Sequence, residues 1–280
     1  MQNTFYTDVA CGIEEVARNR GYAVIVSNSG EDVEKQKRSL ETLQAESVDG
    51  VILPPIGDGE EGVLRLVDSG IPVVCYDRRP EKGNMDTIVS DNRHGAYCAT
   101  AHLIKQGHRR IAYVGSIQGI TTTEERKQGY EEALRDHGIR PDPALIRHGD
   151  ARHEGGERIT RALLNLDDPP TALFTGNSLT TLGAFSALNA LGVQMPEDIA
   201  LVGYDDIPWA TALHPPPTVV NQPGYEMGQR TAELLMQRIK EPERSFTLVT
   251  LQPELILRDS CGANSVDTPE SLSFRSFRIS

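Results

Sequence analysis

Along this chain, short unbroken apolar runs alternate with amphipathic helical stretches, and that alternation restricts the fold more than any single motif. The runs are 22–27 (YAVIVS), 50–53 (GVIL), 71–76 (IPVVCY), 110–114 (RIAYV), 172–175 (ALFT) and 199–203 (IALVG). They lack the in–out alternation of a half-buried strand, so each is expected to be buried on both faces. Shorter strands are expected at 87–89 and 144–147, and an extended stretch at 246–257. Helical periodicity follows nearly every run. In 31–46, Val33, Leu40 and Leu43 recur on one face, and 60–68, 96–105, 124–136, 154–164, 179–190 and 225–239 read the same way. Strand, helix, strand with right-handed crossovers gives parallel sheets covered on both sides. The expected fold is therefore α/β, with two doubly wound parallel-sheet domains, and 280 residues suits about two domains.

The net charge of −12 excludes several functions. An acidic surface repels phosphate backbones, so these residues should not grip nucleic acid unaided. Arg78–Arg79 and Arg109–Arg110 are too sparse to form a basic footprint. No apolar run approaches the ~20 residues of a membrane span. Residues 1–20 show no basic segment followed by an apolar one, so no secretory signal is read and the cytoplasm is the expected compartment. Cys11, Cys75, Cys98 and Cys261 are widely spaced and form no CxxC, which fits free thiols better than a zinc site or a disulfide frame.

In parallel α/β sheets a ligand sits beyond the carboxyl ends of the strands. The residues there are Asn28-Ser29, Pro54-Pro55, Asp77-Arg78, Gly115-Ser116, Gly176-Asn177-Ser178 and Asp205-Asp206. Carboxylates, an amide and hydroxyls on one face suit a neutral, polyhydroxylated ligand, since Asp accepts from two hydroxyls and Asn both donates and accepts. Arg126, after Thr121-Thr122-Thr123, adds a fork of donors, and Phe5 and Tyr6 add an apolar wall for a sugar ring. Each has a plainer explanation: Asp as a turn former, Asn177-Ser178 as a helix cap, Arg126 as a surface partner of Glu, and the aromatics as core. Only their convergence favours a site. Catalytic signatures are absent: no GxGxxG after a strand, no GxxxxGK[ST], no GxSxG. The seven histidines lack metal spacing, and Asp205-Asp206 has no third carboxylate at a telling distance, so neither enzyme chemistry, cofactor nor metal is expected.

Seven blocks in order, NTFYTDVACGIEEVARNRGY, VDGVILPP, SGIPVVCYDR, VSDNRHGAYCATAHLIKQGHRRIAYVG, ALFTGNSLTTLGAFSAL, MPEDIALVGYDDIP and PPPTVVNQPGYEMGQRTAELL, resemble lac-repressor-family (LacI) transcription regulators from about Asn3 to Cys261. The resemblance implies two similar α/β subdomains, the fold of periplasmic sugar-binding proteins, with a small effector in the cleft. Residues 1–90 plus 222–251 would form the first subdomain and 91–221 plus 252–262 the second. Residues 263–280 would be a loose tail. The crossovers would lie near 89–91, 220–222 and 251–253. The ligand-binding residues carried over are Phe5 and Tyr6 in the first loop, Asp77, Thr122, Arg126, Phe174, Asn177, Asp205 and Gln222. The implied partners are a sugar-like effector and a second copy in a homodimer, with no membrane. A stand-alone sugar-binding protein of a transport system is the alternative, and a sugar-processing enzyme a third class.

Three departures stand out. Asn177-Ser178 replaces the family's Asn-Asp. Arg78 follows Asp77, either as a solvated side chain or as a contact for an acidic sugar. Met1-Gln2 directly precede Asn3, where the family carries a helix-turn-helix headpiece, a hinge helix and a central first strand. The reading is a misplaced start or a broken gene, with operator DNA a partner only once a headpiece is restored. Loss of a central strand is expected to leave unpaired backbone and a slot in the core, at a cost of at least several kcal/mol against a total stability of ~5–15 kcal/mol.

Overall fold

The computed structural model describes residues 3–57 and 60–262. Two sheets carry the fold. In the first, β1 (Val51–Leu53), β2 (Val73–Tyr76), β3 (Asp86–Ser90) and β9 (Leu248–Leu251) lie in that order, all parallel. In the second the order is β10 (Glu254–Ile256), β8 (Thr218–Asn221), β7 (Ala200–Tyr204), β6 (Ala172–Thr175), β4 (Ile111–Gly115) and β5 (Ile146–His148), parallel except for β10. The inner strands β4, β6 and β7 are buried at every position, as unbroken apolar runs require.

Helices cover both faces of each sheet. Against the first sheet, α1 (Thr4–Asn19) and α8 (Gly224–Lys240) bury Phe5, Val9, Met227 and Leu234 on one side, while α2 (Val33–Ala45) and α3 (Glu60–Asp68) bury Leu40, Val63 and Leu66 on the other. The second sheet is sandwiched in the same way. On one face α4 (Asn92–Lys105) and α5 (Thr121–Asp136) supply Ala99, Leu103 and Tyr130; on the other α6 (His153–Leu164) and α7 (Ser178–Leu191) supply Leu163, Phe185 and Leu188. The chain passes between the sheets three times, from β3 to α4, from β8 to α8 and from β9 to β10, at the passages expected from the sequence.

Local capping explains several boundaries. Asp91 accepts from His94 N, so α4 starts four residues before the apolar periodicity at Ala96. Asn3 accepts from Phe5 N and starts α1, so Phe5 and Tyr6 stand in the first turn of a helix and not in a loop. The expected stretch 246–257 divides into β9 and β10, one in each sheet. Residues 263–280, read as a tail, lie outside the described residues.

One strand expectation is overturned. Residues 22–27 join no sheet, and Ile25 and Val26 are 62% and 53% exposed. β-Branched residues favour extended backbone, but a strand exists only where a neighbour offers donors and acceptors. The nearest strand, β1, pairs only with β2 among the described residues, and a trench separates it from 22–27.

Glycines let the helix pairs touch backbone to backbone. A Cβ at Gly228 of α8 would run into the Val9 carbonyl of α1, at Gly129 of α5 into the Arg93 carbonyl of α4, and at Gly183 of α7 into the His153 carbonyl of α6. Gly129→Ala gains up to about 1 kcal/mol of helix propensity, but overpacking at such a contact costs about 1–3 kcal/mol. The expected outcome is a lower urea midpoint; an unchanged or raised midpoint would show that α4 and α5 separate freely.

Candidate functional site

The two sheets end in the same device. β2 runs into Tyr76-Asp77 and β7 into Tyr204-Asp205, and both aspartates take left-handed backbone, with φ of 65° and 67°. Each aspartate amide then bonds to the next strand, Asp77 N to the Ile88 carbonyl at 2.9 Å and Asp205 N to the Val220 carbonyl at 2.8 Å. Asp tolerates this region better than most residues, yet it still costs of order 1 kcal/mol. The same conformation therefore presents a carboxylate at the carboxyl end of each sheet, one per domain.

Arg126 joins them. It lies in α5 and is buried. Its Nε donates to Asn92 Oδ1 at 2.8 Å, a second nitrogen donates to the Gly176 carbonyl, and its guanidinium stacks 3.7 Å above the Tyr204 ring. Burial alone would lower its pKa; Tyr204, Asp205 and Asp77 more than offset that and hold the charge. Each carboxylate has a hydrogen-bond partner of its own. Tyr6 Oη donates to Asp77 at 3.0 Å, and Gln222 Nε2 donates to Asp205 at 2.7 Å. Residues from both halves thus meet in one buried polar cluster.

The electrostatics follow from burial. Asp77 is pushed above the ordinary carboxylate range chiefly by desolvation and, less, by Asp205, although Arg78, Arg126 and the Tyr6 hydrogen bond pull the other way. Burial and the Asp77 charge raise the Tyr6 phenol well above its usual value, so it stays a donor. Gln222 Oε1 is buried with no hydrogen-bond partner. A buried acceptor left unpaired costs ~1–3 kcal/mol, and a donor brought by a ligand would remove that cost.

The other sequence candidates divide. Thr122 is buried in the first turn of α5. Asn177 caps α7 through Oδ1, accepting from Thr180 N at 2.8 Å, and its Nδ2 donates to Ser116 Oγ. The cap reading of that residue holds. Phe174 has no exposed surface; its ring stands in the core beside Tyr113 and Tyr204, at 5.6 and 6.3 Å. Phe5 likewise packs in the core with Val9 and Met227, leaving Tyr6 as the member of the pair that reaches Asp77. Arg78 is not solvated: it is buried, paired with both carboxylate oxygens of Glu31 at 2.7 Å and 3.5 Å from Asp77. Asp206 pairs with Arg258 at 2.6 Å.

Sequence reasoning missed Asn92. It is buried at the start of α4, accepts from Arg126 and Tyr204, and donates to Glu125 and the Ser90 carbonyl. The Asp91 cap beside an expected crossover was the available signal. Tyr204 was hidden as a strand residue, since nothing in its neighbours marks an arginine on its ring. Among the described residues no cluster of His, Cys, Asp and Glu could hold a metal, and no helix is long and apolar enough to cross a membrane.

Comparison with known proteins gives a consistent set of relatives. Residues 100–261 match the periplasmic binding protein-like domain family. The transcriptional repressor PurR of Aliivibrio fischeri is 32% identical over 262 residues, covering 92% of this chain and 77% of that repressor. The ribose operon repressor of Haemophilus influenzae is 33% identical, covering 92% and 77%. A LacI family transcriptional regulator from Enterococcus faecium, solved with bound ribose, superposes with a TM-score of 0.83 at 27% identity, covering 93% of this chain and 95% of that one. With the fold, the paired strand-end carboxylates and these relatives together, the chain belongs to the LacI family of transcription regulators and carries that family's periplasmic-binding-protein-like core.

Proposed function

We propose that the cluster of Asp77, Arg126, Asp205 and Gln222 binds a small neutral sugar between the two domains, and that binding controls the grip on operator DNA of the headpiece the family carries ahead of this core. The observation that carries the reading is the convergence of buried, fully polar side chains from both sheets, with Gln222 Oε1 left unsatisfied. Asp77 and Asp205 each accept from hydroxyls, Arg126 donates to ring or hydroxyl oxygens, and Tyr6 and Asn177 complete the set. Thr122 borders Arg126, while Phe5 and Phe174 support the site from the core. The Enterococcus faecium relative, crystallised with ribose, supports a sugar of that class. The Arg78 charge is already answered by Glu31, which favours a neutral sugar over an acidic one.

The division of labour follows the three passages between sheets. Residues 1–90 with 222–251 act as one rigid body and 91–221 with 252–262 as the other, turning about the passages. A ligand that touches both bodies binds the closed arrangement more tightly and shifts the population toward it. In a homodimer in the cytoplasm, that shift changes the spacing of the DNA-reading heads. The relatives are repressors, and the site needs no turnover to act in this way.

A thermal-shift screen of pentoses, hexoses and sugar acids identifies the effector, because a ligand of the folded state raises its melting temperature. With that sugar, Asp205→Asn should weaken binding about 10- to 100-fold, the worth of a hydrogen bond to a charged acceptor. Calorimetry measures this; unchanged affinity would place the site elsewhere.

The raised pKa of Asp77 predicts pH dependence of defined sign. In the folded state Asp77 holds its proton to higher pH than in the unfolded chain, where the value is about 4. Its contribution to stability is therefore most favourable at low pH and falls as pH rises through the folded pKa. Sugar affinity runs the opposite way, weakening as the pH falls through that same pKa, because protonation removes an acceptor. Asp77→Asn should flatten the stability component; melting curves across the acidic range check it.

A further inference from the structure

Arg78 is a second buried guanidinium beside the polar cluster, and its partners differ from those of Arg126. Its two terminal nitrogens donate to the two carboxylate oxygens of Glu31, each at 2.7 Å. Its Nε is buried, makes no hydrogen bond and stands 3.5 Å from Asp77 Oδ2. One terminal nitrogen also donates to Tyr6 Oη at 3.4 Å, and Tyr6 donates to Asp77. The Arg78 guanidinium therefore adjoins two of the groups proposed to hold the sugar.

Glu31 reaches Arg78 from outside that cluster. Residues 28–32 turn between the exposed run 22–27 and α2. Asn28 Oδ1 accepts from Gly30 N at 3.1 Å, Asp32 N donates to the Ser29 carbonyl at 3.2 Å, and Asp32 caps α2 through Lys35 N. Gly30 and Glu31 both take left-handed backbone, with φ of 60° and 65°. Glycine adopts that region freely and glutamate does not. The turn brings the Glu31 carboxylate to an arginine 47 residues further on. The Glu31 side chain is 35% exposed there, and that of Arg78 10%. Among the described residues the Glu31 carboxylate bonds to Arg78 alone, so one substitution at 31 changes this pair and no other.

A guanidinium fork is the side chain best matched to a carboxylate or phosphate, which it takes in two parallel bonds. We propose that Glu31 excludes anionic sugars from this cleft: it fills, with a carboxylate of the chain itself, the place on Arg78 that a uronate carboxylate or a sugar phosphate would take. The inference rests on the sugar-binding reading above and adds the residue that discriminates charge. An anionic sugar has to displace a carboxylate already held at both oxygens and then lie beside Asp77, a like charge; a neutral sugar displaces nothing. Selectivity is thus built partly from repulsion. Glu31 acts through Arg78 and is a positioning residue, not a ligand contact. With glutamine at 31 the fork keeps an acceptor but loses its counter-charge. A buried charge left unpaired then favours the ligand that brings one.

The test compares matched neutral and anionic sugars by calorimetry: ribose with ribose 5-phosphate, glucose with glucuronate, galactose with galacturonate. Each pair is titrated into the purified chain, Glu31→Gln and the double variant Glu31→Gln/Arg78→Gln. The anionic-to-neutral affinity ratio should rise at least about tenfold in Glu31→Gln and fall back toward its starting value in the double variant, where no fork remains. If Glu31→Gln is too unstable to titrate, melting temperatures give the same comparison, since the anionic member should then raise its melting point more than the neutral one, the reverse of the parent chain. An unchanged ratio with the neutral sugar still bound overturns the role of Glu31 and leaves the sugar site standing. A rise that persists without Arg78 overturns it as well, and so does a parent chain that already prefers the anionic member. If no sugar binds any of the three chains, the sugar-binding reading itself fails and takes this inference with it.

Discussion

Arg126 carries its charge into a region nearly closed to water, and the two carboxylates that answer it, Asp77 and Asp205, hang from different sheets. A buried charge without partners is expensive, and with partners it fixes geometry. Asn92 and the Gly176 carbonyl hold the guanidinium from its own domain, and the Tyr204 ring supports it from below. Asp77, from the other domain, lies within reach of its charge but makes no ion pair with it. Charges from both domains thus influence one another across the cleft.

The two Tyr-Asp turns give this arrangement its economy. One backbone conformation, left-handed at a non-glycine residue and pinned by an amide bond to the neighbouring strand, delivers an acceptor from each sheet. The strain is local and occurs once at the end of each sheet. The Asn177 cap follows the same logic: Oδ1 satisfies the start of α7, and Nδ2 remains at the strand ends.

Among the described residues the second sheet has six strands and the first four, and a trench lies beside β1. Asp77 ends β2 in the first sheet, and Tyr6, from α1 in the helix layer over that sheet, donates to it.

The α/β class was legible in the residues because a strand buried on both faces must be apolar throughout, and residues 172–175 could be nothing else. Asp77 and Asp205 were legible because polar residues just beyond such strands sit where ligands bind; Arg126 was legible as a fork of donors in the first turn of a helix, and Gln222 through the family resemblance alone. Asn92 and Tyr204 were not, since each acts through a partner more than thirty residues away. Residues 22–27 show the limit most plainly. Their side chains prefer a strand as strongly as any others here, and periodicity marks them as one. Composition is a property of a segment and survives in the linear chain; pairing needs a second backbone within hydrogen-bond reach, and only folding in three dimensions supplies it or leaves it out.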